Sequence, residues 1–432
     1  MPGTGTEGMR SSRRFVAGWT LAGLLACARW PGPAIAQGAA ETTVAQDRQA
    51  PPATRAEVLR RKREAKAETL EPYVMSDAES RVLGFEAMNF PANIFQRGWR
   101  QFVPVIGGMP SGSGLVGGLG YHNGLDDEAF EFDASARIST RLFSSYDAAV
   151  RFPAAGRATP VRGRVTFRNS DYRGLRFFGL GGDTRSRDRS TYQLLERAVD
   201  AGVGAQLGRF VTLDAHAGWL RAEAEEGLFG RSLEELFDPA GVPGFETTTD
   251  YLHYGGSVEL DLRDTTVPEA GVVLRGELAQ YNDRDASRFT FNRVAAEVQV
   301  HVPLGVRSRV LALRARTSRS VADAGSEVPF YLMETLGGGS TIRGFREFRF
   351  RDARTLLLSA EYRWELWTYL DFAVFADAGK VFSESTELDL HNLETAVGFG
   401  LRGHGPGGTV IRFDLARSRE AIKVHIGGGP SF

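Results

Sequence analysis

Long runs of this chain alternate apolar and polar residues. In Val258-Glu-Leu-Asp-Leu-Arg263, Val258, Leu260 and Leu262 share one face, and Glu259, Asp261 and Arg263 share the other. The run Arg293–Val302 sets Val294, Ala296, Val298, Val300 and Val302 against Arg293, Glu297, Gln299 and His301, and Ile411-Arg-Phe-Asp-Leu415 repeats the pattern. Only a β-strand, whose successive side chains point to opposite faces, turns such a pattern into one apolar face. The other face carries ionisable residues in mid-strand, so it meets water or other charges.

One such strand fits a soluble sandwich as well as a membrane barrel, and the count separates the two. Strands are expected near 113–122, 129–140, 144–153, 161–170, 190–207, 209–221, 250–263, 270–281, 288–303, 308–318, 353–367, 369–382, 394–403, 408–417 and 421–432, with a sixteenth near 99–106 or 171–179. Most exceed the usual 5–6 residues of soluble strands and suit the ~9–11 needed to cross a bilayer at a tilt. Short turns alternate with long connections at 222–249, 319–352 and 383–393, as at the two rims of an outer-membrane barrel. Closure into a barrel removes the sheet edges that lipid does not tolerate. The expected fold is therefore all-β: a transmembrane antiparallel barrel of about sixteen strands over 99–432, with a short irregular or helical segment before it. Trp364, Trp367, Tyr369 and Phe372 suit an interfacial girdle or serve as ordinary strand aromatics.

Composition agrees. The 432 residues carry 52 Lys+Arg against 53 Asp+Glu, a net charge of −1 that gives no reason to expect nucleic acid as a partner. Mean hydropathy is −0.23, and no run of ~18 apolar residues follows the N-terminus. The 51 glycines suit strands and turns. Residues 1–36 read as a cleaved signal peptide: Arg10, Arg13 and Arg14, then apolar Phe15–Cys27, then Ala34-Ile-Ala36 before Gln37. Ser12-Arg-Arg-Phe15 also fits a twin-arginine signal and Leu24–Cys27 a lipoprotein box. Cys27 is the sole cysteine, so no intrachain disulfide forms. Residues 37–98, with Pro51-Pro52 and the charged Arg55–Glu71, read as a periplasmic linker or arm, solvated or plugging the barrel.

Within the longest connection, Leu336-Gly-Gly-Gly-Ser-Thr-Ile-Arg-Gly-Phe345 places Arg343 on a glycine-rich loop. Glu361 and Asp377 follow on the next two strands. If Leu356, Leu358, Ala360 and Tyr362 face lipid, Glu361 and Arg363 face the lumen; if Leu370, Phe372 and Val374 face lipid, so does Asp377. The planar fork of an arginine can bridge two carboxylates. Gly344 allows a close approach or a positive φ, and Phe345 can wedge the loop against the wall.

This stretch, with Gly338, Gly339, Ile342, Gly344 and Phe345, resembles the surface-antigen family, the barrel domain of the assembly and secretion superfamily that includes BamA, TamA and the two-partner secretion transporters. Phe177-Phe-Gly-Leu-Gly-Gly-Asp183, Asp261-Leu-Arg263-Asp264 with Pro268 and Gly271, Glu361-Tyr-Arg363 and Phe375-Ala-Asp377-Ala-Gly379 resemble the family pattern in order. The resemblance covers about 113–432. It implies a sixteen-strand barrel whose sixth extracellular loop folds inward, with Arg343 tied to acids on the following strands. It implies residence in the outer membrane of a Gram-negative-type bacterium. Its implied partners are outer-membrane lipid and lipopolysaccharide, the barrel-assembly machinery for its own insertion, and a protein or lipid client. Phe432 is the expected C-terminal assembly signal on a closing strand, with Pro430 a departure. Residues 37–98 show no pattern of the periplasmic transport-associated (POTRA) domains that such assembly factors carry.

Catalysis has little support. No His-Glu-x-x-His or Gly-x-Ser-x-Gly motif occurs, and Asp261, Arg263 and Asp264 read as a solvated charge ladder. No cofactor, metal site or catalytic residue is expected. The reading is a short barrel acting in outer-membrane biogenesis or in translocation of a protein or lipid partner; the alternatives are a passive channel and a structural surface barrel.

Overall fold

The computed structural model describes residues 59–65, 101–123, 129–153, 160–263, 269–285, 287–305, 309–367, 369–405 and 408–432. The signal-peptide reading falls outside them, as do residues 37–98 apart from a short helix at 59–65.

Sixteen strands form one antiparallel sheet in chain order. They are β1 (Phe102–Ile106), β2 (Val116–Asn123), β3 (Glu131–Ser139), β4 (Ser144–Phe152), β5 (Val161–Phe177), β6 (Ser190–Leu207), β7 (Val211–Glu226), β8 (Thr248–Asp261), β9 (Gly271–Asp283), β10 (Phe291–Pro303), β11 (Arg309–Ala322), β14 (Arg354–Trp367), β15 (Leu370–Phe382), β16 (Glu394–Gly405), β17 (Gly408–Ser418) and β18 (Ile422–Gly427). The connection between β11 and β14 carries its own small hairpin, β12 (Glu334–Leu336) with β13 (Phe350–Asp352).

The strand boundaries differ from the sequence reading where polar side chains continue a ladder. β5 runs on to Phe177 and β7 to Glu226, so the connection read as 222–249 shrinks to 227–247. Glu223 and Glu225 pair in register with Leu195 and Gln193 of β6; such polar residues in the period-two pattern look like the start of a loop. The sixteenth strand is β1. Among the described residues β18 pairs only with β17 and β1 only with β2, so the sheet carries no ladder hydrogen bonds between its first and last strands.

The two faces follow the alternation. Outward residues stay exposed, such as Leu278 at 63% and Val258 at 48%, and inward ones are buried, such as Glu361 and Asp414 at 0%. One rim carries the long connections 178–189, 227–247 and 323–353, and the other carries tight turns such as 208–210. At the long-loop rim, inward Tyr192 and Leu194 of β6 and Ala224 of β7 pack with Leu233, Val242 and Phe245 of the 227–247 loop and with Phe330. At the short-turn rim, Trp364 leans at a tilt against Phe372, 4.5 Å between ring centroids, and Arg63 of the 59–65 helix lies over the Tyr369 ring at 5.5 Å.

Candidate functional site

The glycine-rich loop turns into the lumen and lies against β14 to β18. Its backbone makes this possible. Gly337, Gly338 and Gly344 take φ of +116°, +92° and +98°, a region costly for side-chain-bearing residues. A Cβ on Gly344 would stand 3.1 Å from the Ala396 Cβ and 3.2 Å from the Ser418 Cβ. The turn closes on itself through Gly338 N–H donating to the Phe345 carbonyl at 3.2 Å. Phe345 and Ile342, both at 0% exposure, pack with Leu336, Phe350, Leu357, Val381 and Ala396. Gly379 makes room for them: its Cβ would lie 3.0 Å from Ile342 Cδ1.

This apolar wedge sets Arg343 at depth. Its Nε is 2.7 Å and its Nη2 2.9 Å from the two oxygens of Asp377, and its Nη1 is 2.8 Å from Glu361 Oε2. The guanidinium carbon sits 3.4 Å from the Phe375 ring centroid. Asp377, Phe375 and Gly379 alternate along β15, so one strand face supplies the carboxylate, the stacking surface and the gap.

The network is larger than the sequence suggested. Glu361 also accepts from Arg363 Nε at 2.9 Å, Arg402 Nη2 at 2.8 Å and Ser431 Oγ at 3.1 Å. Asp414 lies 2.6 Å from Arg402 Nη1, 3.2 Å from Arg412 Nε and 3.7 Å from Arg343 Nη1, approached off the hydrogen-bonding axes. Three carboxylates thus face four guanidiniums, all at 8% exposure or less. Buried charges persist only when paired and hydrogen-bonded, and here each has an opposite neighbour. Arg402, Arg412 and Asp414 carry no local motif; the only signal for them is that they fall on the lumen face of alternating β16 and β17.

The loop is held elsewhere too. Arg412 Nη2 donates to the Gly339 carbonyl at 3.0 Å and Ser418 Oγ to the Gly344 carbonyl at 2.9 Å. Arg349 joins Glu420 at 2.7 Å and donates to the Thr184 carbonyl at 2.6 Å. Arg351 donates to the Phe330 carbonyl at 2.8 Å, with the rings of Phe177, Tyr192, Phe330 and Phe348 5.4 to 5.9 Å away.

The remaining expected residues lie apart. Asp261 and Arg263 pair with each other at 2.6 Å at the foot of β8, and Gly271 (φ +128°) opens β9 where a Cβ would lie 2.5 Å from the Leu262 carbonyl oxygen. Asp264 and Pro268 fall outside the described residues. Phe432 is not on the closing strand. β18 stops at Gly427, and Gly428-Gly-Pro430, with a proline that lacks an N–H, leaves the ladder. The chain turns inward, Arg412 Nη1 donates to the Pro430 carbonyl at 2.9 Å, and the Phe432 ring lies 5.8 Å from the Arg363 guanidinium. His122, Glu131 and Asp133 could offer metal ligands, but Arg151 Nη1 already stands 2.5 Å from Glu131 Oε1 and bonds Asp133 as well. Beside them, a lumenal cavity of about 620 Å³ is lined by Arg164, Asp200, His216 and His253 among others.

A sixteen-strand sheet, apolar outside and charged inside, whose longest loop is pinned to the inner wall defines an outer-membrane β-barrel. The Omp85 superfamily domain matches residues 156–427. The chain belongs to that superfamily, and its place is the outer membrane of a Gram-negative bacterium. No curated protein matches the sequence. Among solved structures, it is similar to BamA from Haemophilus ducreyi lacking POTRA domains 1-3, with TM-score 0.56 and 13% identity over 86% of this chain and 81% of that one. It is also similar to CdiB from Escherichia coli and from Acinetobacter baumannii, each with TM-score 0.46 and 14% identity over 75% of this chain; it covers 61% and 57% of those chains.

Proposed function

We propose that this barrel handles a protein or lipid partner in outer-membrane biogenesis or translocation, and that the inward loop gates it. The observation that carries the reading is the buried Arg343–Glu361–Asp377 cluster, extended to Asp414 and to the loop contacts of β17. A loop pinned across the lumen by seven buried charges favours a gated barrel over an open channel or a purely structural one. The loop is a two-position element: seated, it braces the last strands; released, it frees the edge between β1 and β18, which lacks ladder bonds, for a client strand. Arg343, Glu361 and Asp377 act as the lock, Gly338, Gly339 and Gly344 as the hinge, and Ile342 with Phe345 as the wedge. In this reading residues 1–36 are the cleaved signal and 37–98 a periplasmic linker or arm; Lys62 of the 59–65 helix lies 3.9 Å from Glu365 at the short-turn rim. The chain's own insertion uses the barrel-assembly machinery. No catalytic step is assigned to it.

The test is a reversible bolt. A Cβ on Gly339 would lie 3.4 Å from the His425 Cβ, close to disulfide geometry, and Gly339 has no positive φ to forbid a side chain. In Gly339→Cys/His425→Cys cells, oxidation should stop the activity, read as the level of other barrel proteins in the outer membrane and as export to the surface, and dithiothreitol should restore it. Full activity of the oxidised, correctly folded barrel sinks the gating reading.

A further inference from the structure

The lumen explains the inward arginines, but another set points out. On β6 and β7, Arg197 and Arg221 are directly opposed in register, and on β11 and β14 so are Arg319 and Arg354. All four share the outward parity of the residues below them: Val199 and Trp219 follow the first pair, and Leu356, opposite Thr317, the second. Like charges directly opposite on adjacent strands are destabilising, because their Cβ atoms are only ~4.5–5.5 Å apart. Among the described residues none of the four arginines has a carboxylate within ion-pair distance; Asp250 of β8 stands opposite Arg221 in register, but its Oδ1 accepts from Trp219 Nε1 at 2.6 Å.

Their height is informative. Below Arg197, the outward residues Val199, Ala201, Val203, Ala205 and Leu207 run to the turn at 208–210; below Arg354, Leu356, Leu358, Ala360, Tyr362 and Trp364 run to the same short-turn rim. Each span matches the ~9–11 tilted residues that fill the hydrocarbon layer. Both pairs therefore sit where the apolar band ends on the long-loop side, which in an outer-membrane barrel faces the exterior. Lys380 of β15 and Arg417 of β17 take the same position above Ala378 and Leu415. The lipid that fills this leaflet in a Gram-negative bacterium is a phosphorylated glycolipid.

We propose that the opposed pairs Arg197–Arg221 and Arg319–Arg354 are docking sites for the phosphate groups of that outer-leaflet glycolipid. Two guanidinium forks converging on one dianion supply bidentate, charge-assisted hydrogen bonds, and the anion relieves the repulsion that the bare protein bears. The aromatic Trp219 under the first pair sits at the acyl boundary, as interfacial aromatics do. This site is independent of the loop lock.

The experiment uses the purified full-length barrel in micelles of an uncharged detergent free of lipid phosphate. Diphosphoryl lipid A is titrated, with inorganic phosphate and dephosphorylated lipid A as parallel arms, and bound lipid is counted by native mass spectrometry while the heat-modification temperature is recorded. Diphosphoryl lipid A should bind and raise that temperature, and the other two arms should do neither. Arg197→Gln/Arg221→Gln and Arg319→Gln/Arg354→Gln should each weaken binding at least fivefold, while Arg309→Gln, facing outward at the other rim, leaves it unchanged. In bare micelles the double variants should be as heat-resistant as the parent or more so, because the like-charge opposition is gone. The proposal is overturned by undiminished lipid A binding in both double variants, by an equal response to inorganic phosphate, or by variants that lose heat resistance without any lipid present.

Discussion

Oδ2 of Asp377 accepts two hydrogen bonds from the same residue, one from the Arg343 side chain (Nε, 2.7 Å) and one from the Arg343 backbone N–H (3.1 Å). The carboxylate therefore fixes both the side chain and the peptide that carries it, and the loop cannot slide while the guanidinium stays bound. Removing one partner of a buried pair leaves the other charge uncompensated, at about 3–5 kcal/mol. Arg343→Ala should lower the heat-modification temperature of the assembled barrel and expose the 323–353 loop to added protease. Arg343→Lys should fall close to alanine, because an ammonium cannot span Asp377 and Glu361 with parallel bonds. A lysine variant with parental heat resistance and protease resistance would mean that charge alone, without the fork, holds the loop.

Asp414 gives a second expectation. It stands among Arg343, Arg402 and Arg412, and without it the four guanidiniums of the cluster, Arg363 included, face only Glu361 and Asp377. Asp414→Ala should therefore destabilise the barrel about as much as Asp377→Ala, even though it makes only one long contact with Arg343 itself. Combining it with Arg412→Met should recover part of the loss, since one unpaired charge leaves with its partner. Strict additivity of the two substitutions in heat-modification gels or denaturant titrations would show that the two residues do not share a network.

The same cluster shows what was legible in the chain and what was not. Parity along β14 and β15 identified Glu361 and Asp377 as lumenal because they lie on the two strands that follow the loop. The same parity puts Arg402, Arg412 and Asp414 on the inner face, but alternation gives only the face. It gives neither the height along the barrel nor which strands curve round to oppose each other across the lumen, and that curvature brings β17 to the loop. The fold was legible because lipid imposes one rule on every strand. The unpaired ends of the sheet and the inward turn of the C-terminus were legible only in part: Pro430 departs from a closing strand, but alternation does not say where the ladder stops or which way the chain then turns.

The C-terminus allows two roles to be separated. The Phe432 ring lies 5.8 Å from the Arg363 guanidinium and 6.0 Å from that of Arg314, and cation–π contacts contribute about 0.5–2 kcal/mol. Phe432→Ala should thus cost the folded barrel only a modest loss of heat resistance. If the terminal aromatic also serves as the assembly signal, the yield of assembled barrel in a pulse–chase experiment should fall far more than that loss accounts for. Equal, small changes in yield and in heat resistance would restrict Phe432 to its lumenal packing.

The hinge glycines separate the cost of backbone strain from that of lost charge. At Gly344 a side chain meets two obstacles at once: a φ of +98° and wall atoms 3.1 to 3.2 Å from the new Cβ on Ala396, Arg417 and Ser418. At Gly339 there is no positive φ, and the nearest atoms belong to the His425 ring and Cβ at 3.3 to 3.4 Å, on a side chain that can shift by a few tenths of an ångström. Left-handed strain alone costs roughly 1–2 kcal/mol per residue, and the wall around Gly344 is strand backbone and short side chains that cannot give way. Gly344→Ala should therefore unseat the loop, with protease cleavage near Arg343 and Arg346 appearing in an otherwise folded barrel, while Gly339→Ala stays protected. If both variants resist cleavage equally, the fit of the loop against β16 and β17 is looser than these distances require. If both are cleaved, the His425 side of the seat is as rigid as the other, and the last strand is a fixed part of the lock.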